Sequence, residues 1–371
     1  MEVVNKFIVA LVLAHVISAS AQTPSEAMAL QEKGDWAGAE AAWRNLTRTS
    51  PKDYRYWTSL GACLAHQNRF PEGIDDYKKA LAISPHDGQT NFNLGLAYFK
   101  LGHLEHAVVP LKMAETALPQ AQGQISVLLG MSYYGTGKYK DAIPYLEAAQ
   151  RDKADNAELQ LVLAKAYLLA KDFDKAKLQF QAMLGHDPDS AQVHILLGEA
   201  YDGLGKQEDA LQEFRAAAKS GAAPDAHFGV GYLLWRDKHY GEATEEFRRE
   251  LALNPKHHAA LAYLGDSLLK LGDQPGAEKA IQESIAVKDN LWITHYDLGT
   301  MAADRKDYTL AIEQYKHALA ANNKRPDIHY HLAQAYKATN RNAEAQVELR
   351  VVSALHEQRN EDLITKVRGA Q

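Results

Sequence analysis

Residues 88–121 read GQTNFNLGLAYFKLGHLEHAVVPLKMAETALPQA, and the spacing of their small and apolar residues decides the fold. Gly102 marks a turn near the middle of this stretch, and Pro119 marks an end. On each side of the turn, residues recur three, four or seven positions apart, as on one face of a helix. The recurring positions are Asn91, Leu94, Gly95 and Tyr98 before the turn, and Ala107, Leu111 and Ala114 after it. The stretch therefore predicts two helices joined by a short turn.

The same pattern returns along the chain in steps of 33 to 35 residues. A first column of small residues consists of Gly61, Gly95, Gly130, Ala164, Gly198, Gly231, Gly265, Gly299 and Ala333. A second small column consists of Ala39, Gly73, Ala107, Ala142, Ala176, Ala210, Ala243, Ala277, Ala311 and Ala345. A third column, large and apolar, consists of Trp43, Tyr77, Leu111, Leu146, Phe180, Phe214, Phe247, Ile281, Tyr315 and Leu349. Three columns in one register predict an array of about nine and a half two-helix repeats.

The small columns have a physical explanation. Glycine inside a helix costs about 1 kcal/mol relative to alanine, so its recurrence at one place per repeat implies a close contact. We expect the two helices of a repeat to cross there, and the large column to fill the gap between one repeat and the next. Contacts of this kind join only neighbouring repeats, so the array can lengthen without enlarging a single core.

These columns resemble the tetratricopeptide repeat family, whose pattern is W-x2-L-G-x2-Y followed by A-x3-F and a closing proline. The fullest match is made by Trp57, Leu60, Gly61, Leu64, Gly73, Tyr77, Ala80 and Pro85. The resemblance implies an all-α fold, a right-handed α-solenoid (superhelix) of helix-turn-helix repeats over residues 22–352. Residues 353–371 are predicted to form a C-terminal capping helix over the last repeat.

Residues 1–21, MEVVNKFIVALVLAHVISASA, are predicted to be a signal peptide. The apolar run from Phe7 to Ile17 is too short for the roughly 20 residues of a spanning helix, and a small-x-small cleavage pattern ends at Ala21. An uncleaved membrane anchor is the alternative. In a bacterial host, cleavage predicts a periplasmic or secreted protein without stable membrane insertion. A helix start with a capping box follows at once, at Thr23, Pro24 and Glu26.

Composition and motifs argue against several classes of function. The net charge is −6 and no basic stripe is present, so nucleic acid is not an expected partner. Cys63 is the only cysteine, which rules out an intramolecular disulfide and a zinc site built on cysteines. It is predicted to be a small buried residue rather than a reactive thiol. Nucleotide-binding and nucleophile motifs are absent from the sequence, so neither enzymatic activity nor a cofactor is expected.

The 16 histidines raise the question of a metal site. Four of them share one repeat column: His194, His227, His295 and His329. Equivalent positions of adjacent repeats are about 8–10 Å apart, whereas zinc ligands must approach the ion to about 2.0–2.1 Å. The column therefore predicts half-buried amphipathic rings. His257 and His258 have no carboxylate partner at ligand spacing in the sequence, so no metal site is predicted.

The family resemblance implies that the first helices line a concave groove for an extended segment or helix of a partner. Groove positions within residues 191–304 combine aromatic and acidic side chains: Phe228, Tyr232, Trp235, Tyr296, Glu199, Asp202, Asp266 and Asp297. Aromatic rings supply contact area and charges select among partners, which predicts a site for a basic or neutral peptide. Replacing Trp235 by alanine should then cost at least about 1 kcal/mol of binding. Lysine at positions 266 and 297 should slow association without unfolding the array. The alternative is that the aromatics pack against the neighbouring repeat.

These observations favour a protein–protein interaction scaffold or adaptor. The alternative is a protein-recognition subunit of a larger envelope enzyme system, glycan-handling or proteolytic, with catalysis on another chain.

Overall fold

The computed structural model describes residues 23–152, 156–219, 221 and 223–369. Within these ranges the chain forms 20 α-helices, one 3-10 turn and no strand, which confirms the all-α fold of paired helices. None of the helices in this part of the chain is both long and apolar enough to cross a bilayer. The predicted signal peptide, residues 1–21, lies outside the described residues.

Two compact units divide the chain, residues 1–170 and 171–371. In the first unit, four helix pairs are followed by a single helix. The helices are α1 (Pro24–Glu32), α2 (Trp36–Thr49), α3 (Tyr54–His66), α4 (Phe70–Ile83), α5 (Gly88–Lys100), α6 (Leu104–Ala117), α7 (Gln122–Gly135), α8 (Tyr139–Asp152) and α9 (Ala157–Leu169), with the 3-10 turn Pro119–Ala121 before α7. The predicted capping box opens α1, because Thr23 Oγ1 accepts the Glu26 N–H and Glu26 Oε2 accepts the Thr23 N–H.

The second unit begins with a single helix and continues with five pairs. Its helices are α10 (Phe173–His186), α11 (Ala191–Gly203), α12 (Gln207–Ala218), α13 (Ala226–Arg236), α14 (Tyr240–Leu253), α15 (His258–Lys270), α16 (Gln274–Val287), α17 (Trp292–Asp304), α18 (Tyr308–Ala321), α19 (Pro326–Ala338) and α20 (Asn342–Gly369). At 28 residues, α20 includes residues 353–369. The segment predicted as a capping helix is therefore a continuation of the last repeat's second helix.

The glycines of the first column lie where the two helices of a repeat touch. A Cβ placed at Gly231 would lie 2.7 Å from the Phe247 ring, and seven glycines of this column would meet the large residue 16 positions later at 2.5–3.0 Å. The large residues also contact the first helix of the next repeat, since a Cβ at Gly229 would lie 2.5 Å from Phe214 of the preceding repeat. The third column thus packs on the first helix of its own repeat as well as on the next one.

Each turn between the two helices of a repeat contains one residue with positive φ. These residues form a further 34-residue column: Gly34, Asn68, Gly102, Gly137, Lys171, Gly205, Lys238, Gly272, Lys306 and Asn340. Glycine and asparagine tolerate this left-handed conformation, whereas lysine occupies it at an energetic cost.

Three histidines of the repeat column, His194, His227 and His295, are half-buried as predicted, whereas His329 is buried. Each Nδ1 lies 2.6–2.8 Å from a side-chain oxygen 19 positions later on the second helix; the residues that supply these oxygens are Glu213, Glu246, Gln314 and Glu348. The Nε2 of His194 lies 2.9 Å from the carbonyl oxygen of Pro188, and the Trp57 indole donates to the equivalent carbonyl of Pro51. The rings therefore join the helices of a repeat to the preceding loop.

Cys63 is also buried as predicted, with no exposed surface. Burial raises the pKa of its thiol to about 12, and the nearby Glu40 carboxylate adds to the shift. Because the thiolate is the nucleophile, this position is unreactive at neutral pH.

Candidate protein-binding pocket

One pocket of the second unit brings together four of the eight predicted groove residues. It has a volume of about 310 Å³, and residues of α11, α12 and α13 line it together with the N-cap residues of α13 and α15. Glu199, Asp202, Phe228 and Tyr232 are the predicted residues that line it. The other lining residues are Ile195, Phe214, Asp225, Gly229 and His257. We call this the acidic–aromatic pocket, because three carboxylates and three aromatic rings surround it.

The rings form one wall of the pocket. The ring centroids of Phe228 and Tyr232 are 6.2 Å apart, and the His257 ring lies 4.7 Å from Phe228. Gly229 leaves room for the Phe214 ring, which any Cβ at this position would meet. Apolar walls of this kind favour the aliphatic or aromatic part of a ligand over water.

The connection between α12 and α13 shapes the pocket's rim. The first column shortens here to a 33-residue step, from Gly198 to Gly231. Asp225 ends the connection with φ +71°, in the left-handed region. The buried Glu250 carboxylate holds this turn, since its Oε1 accepts the Asp225 N–H at 2.9 Å and its Oε2 accepts the Phe228 N–H at 3.2 Å.

Asp225, Glu250 and His257 approach one another as metal ligands could, with their ligand atoms all within 4.8 Å. The expectation that His257 lacks carboxylate partners was wrong, because the fold brings together residues 7 and 32 positions away in sequence. Their hydrogen bonds nevertheless account for the cluster. His257 Nδ1 accepts the Ala260 N–H at 3.0 Å, so its Nε2 carries the ring proton and faces Asp225 Oδ1 at 2.9 Å. An ion at Nε2 would have to displace that proton, so the geometry fits helix capping better than metal binding.

The rim acids all keep some exposure to solvent. Asp202 Oδ1 lies 2.7 Å from a guanidinium nitrogen of Arg236, and both side chains are partly exposed. The Asp225 side chain is 61% exposed despite its contact with His257. Glu199 is exposed on α11. The pocket therefore presents carboxylates to solvent beside an apolar wall.

Trp235 lies beside the pocket but belongs partly to the packing between repeats. Its ring meets Tyr263 edge-on at 4.7 Å, and its Nε1 donates to Asp266 Oδ2 at 2.6 Å. Asp266 is 3% exposed, and its other oxygen lies 3.6 Å from Lys270 Nζ. The prediction that Asp266 displays charge in the groove was wrong, because Trp235 of the preceding repeat and Asp297 of the next one lie against it.

Asp297 is fully buried, so it does not present charge in the groove either. Burial raises its pKa well above the ordinary range, and the neighbouring Asp266 carboxylate raises it further, while Lys270 opposes the shift. Lysine at both positions would bury two cations beside Lys270, so the pair would destabilise the repeats rather than only slow association.

Tyr296 lies outside the acidic–aromatic pocket. Its ring packs against Trp292, Tyr315 and His331 at centroid distances of 5.6–6.1 Å. The sequence therefore predicted the pocket's α11 and α13 residues but assigned too long a surface to it. It gave no role to His257, although the single 33-residue step pointed to a change near this connection.

Family models described as tetratricopeptide repeat match residues 25–88, 127–191, 172–227, 195–256, 228–290 and 302–363. A TPR repeat-containing protein of Methanocaldococcus jannaschii is 24% identical over 303 residues, which are 73% of this chain and 52% of that protein. The human protein O-mannosyl-transferase TMTC3 is 21% identical over 73% of this chain and 28% of its own length. Among solved structures, the Cut9–Hcn1 hetero-tetramer of the APC/C aligns with a TM-score of 0.49 at 14% identity, over 89% of this chain and 79% of that one. The chain thus spans about half or less of these curated relatives' length.

Proposed function

The chain belongs to the tetratricopeptide repeat family, and on that premise we propose that it is a protein–protein interaction scaffold that acts by binding rather than by catalysis. Its partner is a protein or peptide, held as an extended segment or a helix against α11, α13 and the start of α15. The acidic surface and the net charge of −6 favour such a partner over nucleic acid.

The acidic–aromatic pocket is the observation that carries this proposal. Phe228 and Tyr232 are only half-buried, so their rings can still lose exposed surface when a partner docks. Aromatic residues that become fully buried at an interface supply much of its binding energy, and surrounding charges select the partner. Because three helices contribute, the pocket depends on the repeats being stacked.

Site-directed photo-crosslinking in the native host tests the proposal. A photoreactive amino acid at position 199, on the pocket rim, should capture a partner that one at position 248, exposed on the second helix α14, does not. With the captured partner purified, Phe228→Ala should weaken binding by at least about 1 kcal/mol. Tyr308→Ala, which truncates a half-buried aromatic at the start of α18, is the control and should leave binding unchanged. Equal capture at both positions, or no effect of Phe228→Ala, would contradict the proposal.

A second proposal is that the array is the recognition part of a larger enzyme system, with catalysis on another chain. The match to a protein O-mannosyl-transferase over 73% of this chain favours it. In that case the crosslinked partner should be an enzyme, and glycan-handling or proteolytic activity should co-purify with this chain. An adaptor of envelope or secretion complexes would instead capture non-catalytic components.

We also propose that the protein is exported, to the periplasm or the medium of a bacterial host. The support is the sequence of residues 1–21, with its short apolar run and its small-x-small ending at Ala21.

A further inference from the structure

A second pocket borders the acidic–aromatic pocket. It has a volume of about 420 Å³ and shares Ile195, Glu199 and Asp225 with the first. Four of its five remaining lining residues are apolar; the five are Ala191, Gln192, Leu196, Ala223 and Pro224. We call it the apolar pocket. The shared residues form the ridge between the two.

The two pockets differ in the chemistry that they recognise. The acidic–aromatic pocket combines the faces of Phe228 and Tyr232 with carboxylates at its rim. A cation on an apolar stem satisfies both features, because its stem packs on the rings while its charge meets the carboxylates. Among the described residues, the lining of this pocket contains three carboxylates and neither lysine nor arginine. Arg236 pairs with Asp202 from outside the lining, and the Asp225 side chain is 61% exposed. The lining is therefore negatively charged.

A neutral or acidic group fits this pocket poorly. Burying the rim carboxylates under a group without a positive charge would remove their hydration and give nothing in exchange. An acidic group would add repulsion. The apolar pocket, in contrast, gains most from an aliphatic side chain, since it offers mainly alanine, leucine, isoleucine and proline surface.

We infer that the two pockets bind two side chains of one extended partner segment. The acidic–aromatic pocket binds a lysine or arginine, and the apolar pocket binds an aliphatic residue. In an extended chain, alternate side chains point to the same side, so the two residues are separated by one other. This inference rests on the proposed function and specifies the partner for that same surface.

Selection from a displayed library of random heptapeptides, against the immobilised full chain, tests the inference. Enriched sequences should contain a lysine or arginine two positions from an aliphatic residue. Synthetic, dye-labelled versions of the enriched peptides then serve as probes for fluorescence anisotropy. Replacing the basic residue of the peptide by glutamine should weaken binding about tenfold or more, since hydrogen bonds to charged groups contribute strongly.

The matching change in the protein is the double variant Glu199→Gln/Asp225→Asn, which should also weaken binding about tenfold. Asparagine tolerates the left-handed backbone of position 225 and can still accept a hydrogen bond from His257, so the fold is expected to persist. Glu208→Gln/Glu313→Gln removes the same charge from exposed positions of the second helices α12 and α18 and should change affinity less than twofold. Circular dichroism checks that all variants fold.

Enriched peptides without a basic residue would overturn the inference. So would peptides that lose affinity in Phe228→Ala and keep it in Glu199→Gln/Asp225→Asn, a result that leaves the proposed function intact. A library that yields no binder, together with no crosslinked partner at position 199, would overturn both.

Discussion

Replacing Gly231 by alanine tests whether the small column is set by packing. The added Cβ would lie 2.7 Å and 2.8 Å from two atoms of the Phe247 ring and 3.3 Å from Glu246 Cβ. Phe247 is fully buried, and its ring packs against Phe228 and Tyr263 at centroid distances of 6.1 and 6.2 Å. Because two neighbouring rings also pack against it, Phe247 has little room to move away.

The magnitude follows from two opposing effects. Alanine gains about 1 kcal/mol over glycine inside a helix. Overpacking a well-packed core costs about 1–3 kcal/mol. Gly231→Ala should therefore lower the free energy of unfolding by up to about 2 kcal/mol. Gly241→Ala is the matched control on the second helix of the same repeat, because a Cβ there meets nothing within 4 Å. It should be neutral or stabilising by up to about 1 kcal/mol, so the difference between the variants measures the overpacking cost.

Urea denaturation followed by circular dichroism compares the two variants, and amide hydrogen exchange locates the loss. Because contacts join only neighbouring repeats, exchange in Gly231→Ala should rise mainly in residues 191–287 and not through the whole unit. The larger change Ala243→Leu should give the same local pattern with a loss of about 1–3 kcal/mol. The packing argument is refuted if Gly231→Ala stabilises the protein as much as Gly241→Ala does, and a uniform rise in exchange would indicate one cooperative core.

Three further changes have clear expected outcomes. Asp297→Asn should flatten the pH dependence of stability. The raised pKa of Asp297 stabilises the folded wild type at low pH, and this contribution is lost as the pH rises from about 3.8 through the folded-state pKa. Urea midpoints measured from pH 4 to 9 that stay parallel for the two proteins would contradict this. Lys306→Gly should raise the free energy of unfolding by up to about 1 kcal/mol, because glycine adopts the positive φ of this position, +62°, without strain. A loss of stability in thermal melts would contradict this. Intact-mass measurement of protein from its host should show Gln22 as the first residue, whereas a chain that still starts at Met1 would favour the anchor.

The sequence could not predict which of the groove acids are buried. Asp202 and Asp266 both look like groove acids on first helices. Asp202 remains partly exposed beside Arg236, while Asp266 is covered by its contacts with Trp235 of the preceding repeat. Asp297 then lies against Asp266 and is fully buried. The repeat register assigns a residue to a helix face, but the side chains of two other repeats determine how much of that face stays open.

The sequence by itself determined the helices, their pairing and the columns that hold them together. Those features depend on contacts within a repeat or between neighbours, and such contacts leave a period of about 34 residues in the chain. Only the tertiary structure decided where a pocket opens. Asp225, Glu250 and His257 meet across 32 residues because the connection between α12 and α13 ends with Asp225 in a left-handed conformation and with its backbone N–H on Glu250. A departure from the repeat carries no periodic signal, so its geometry depends on the three-dimensional packing around it.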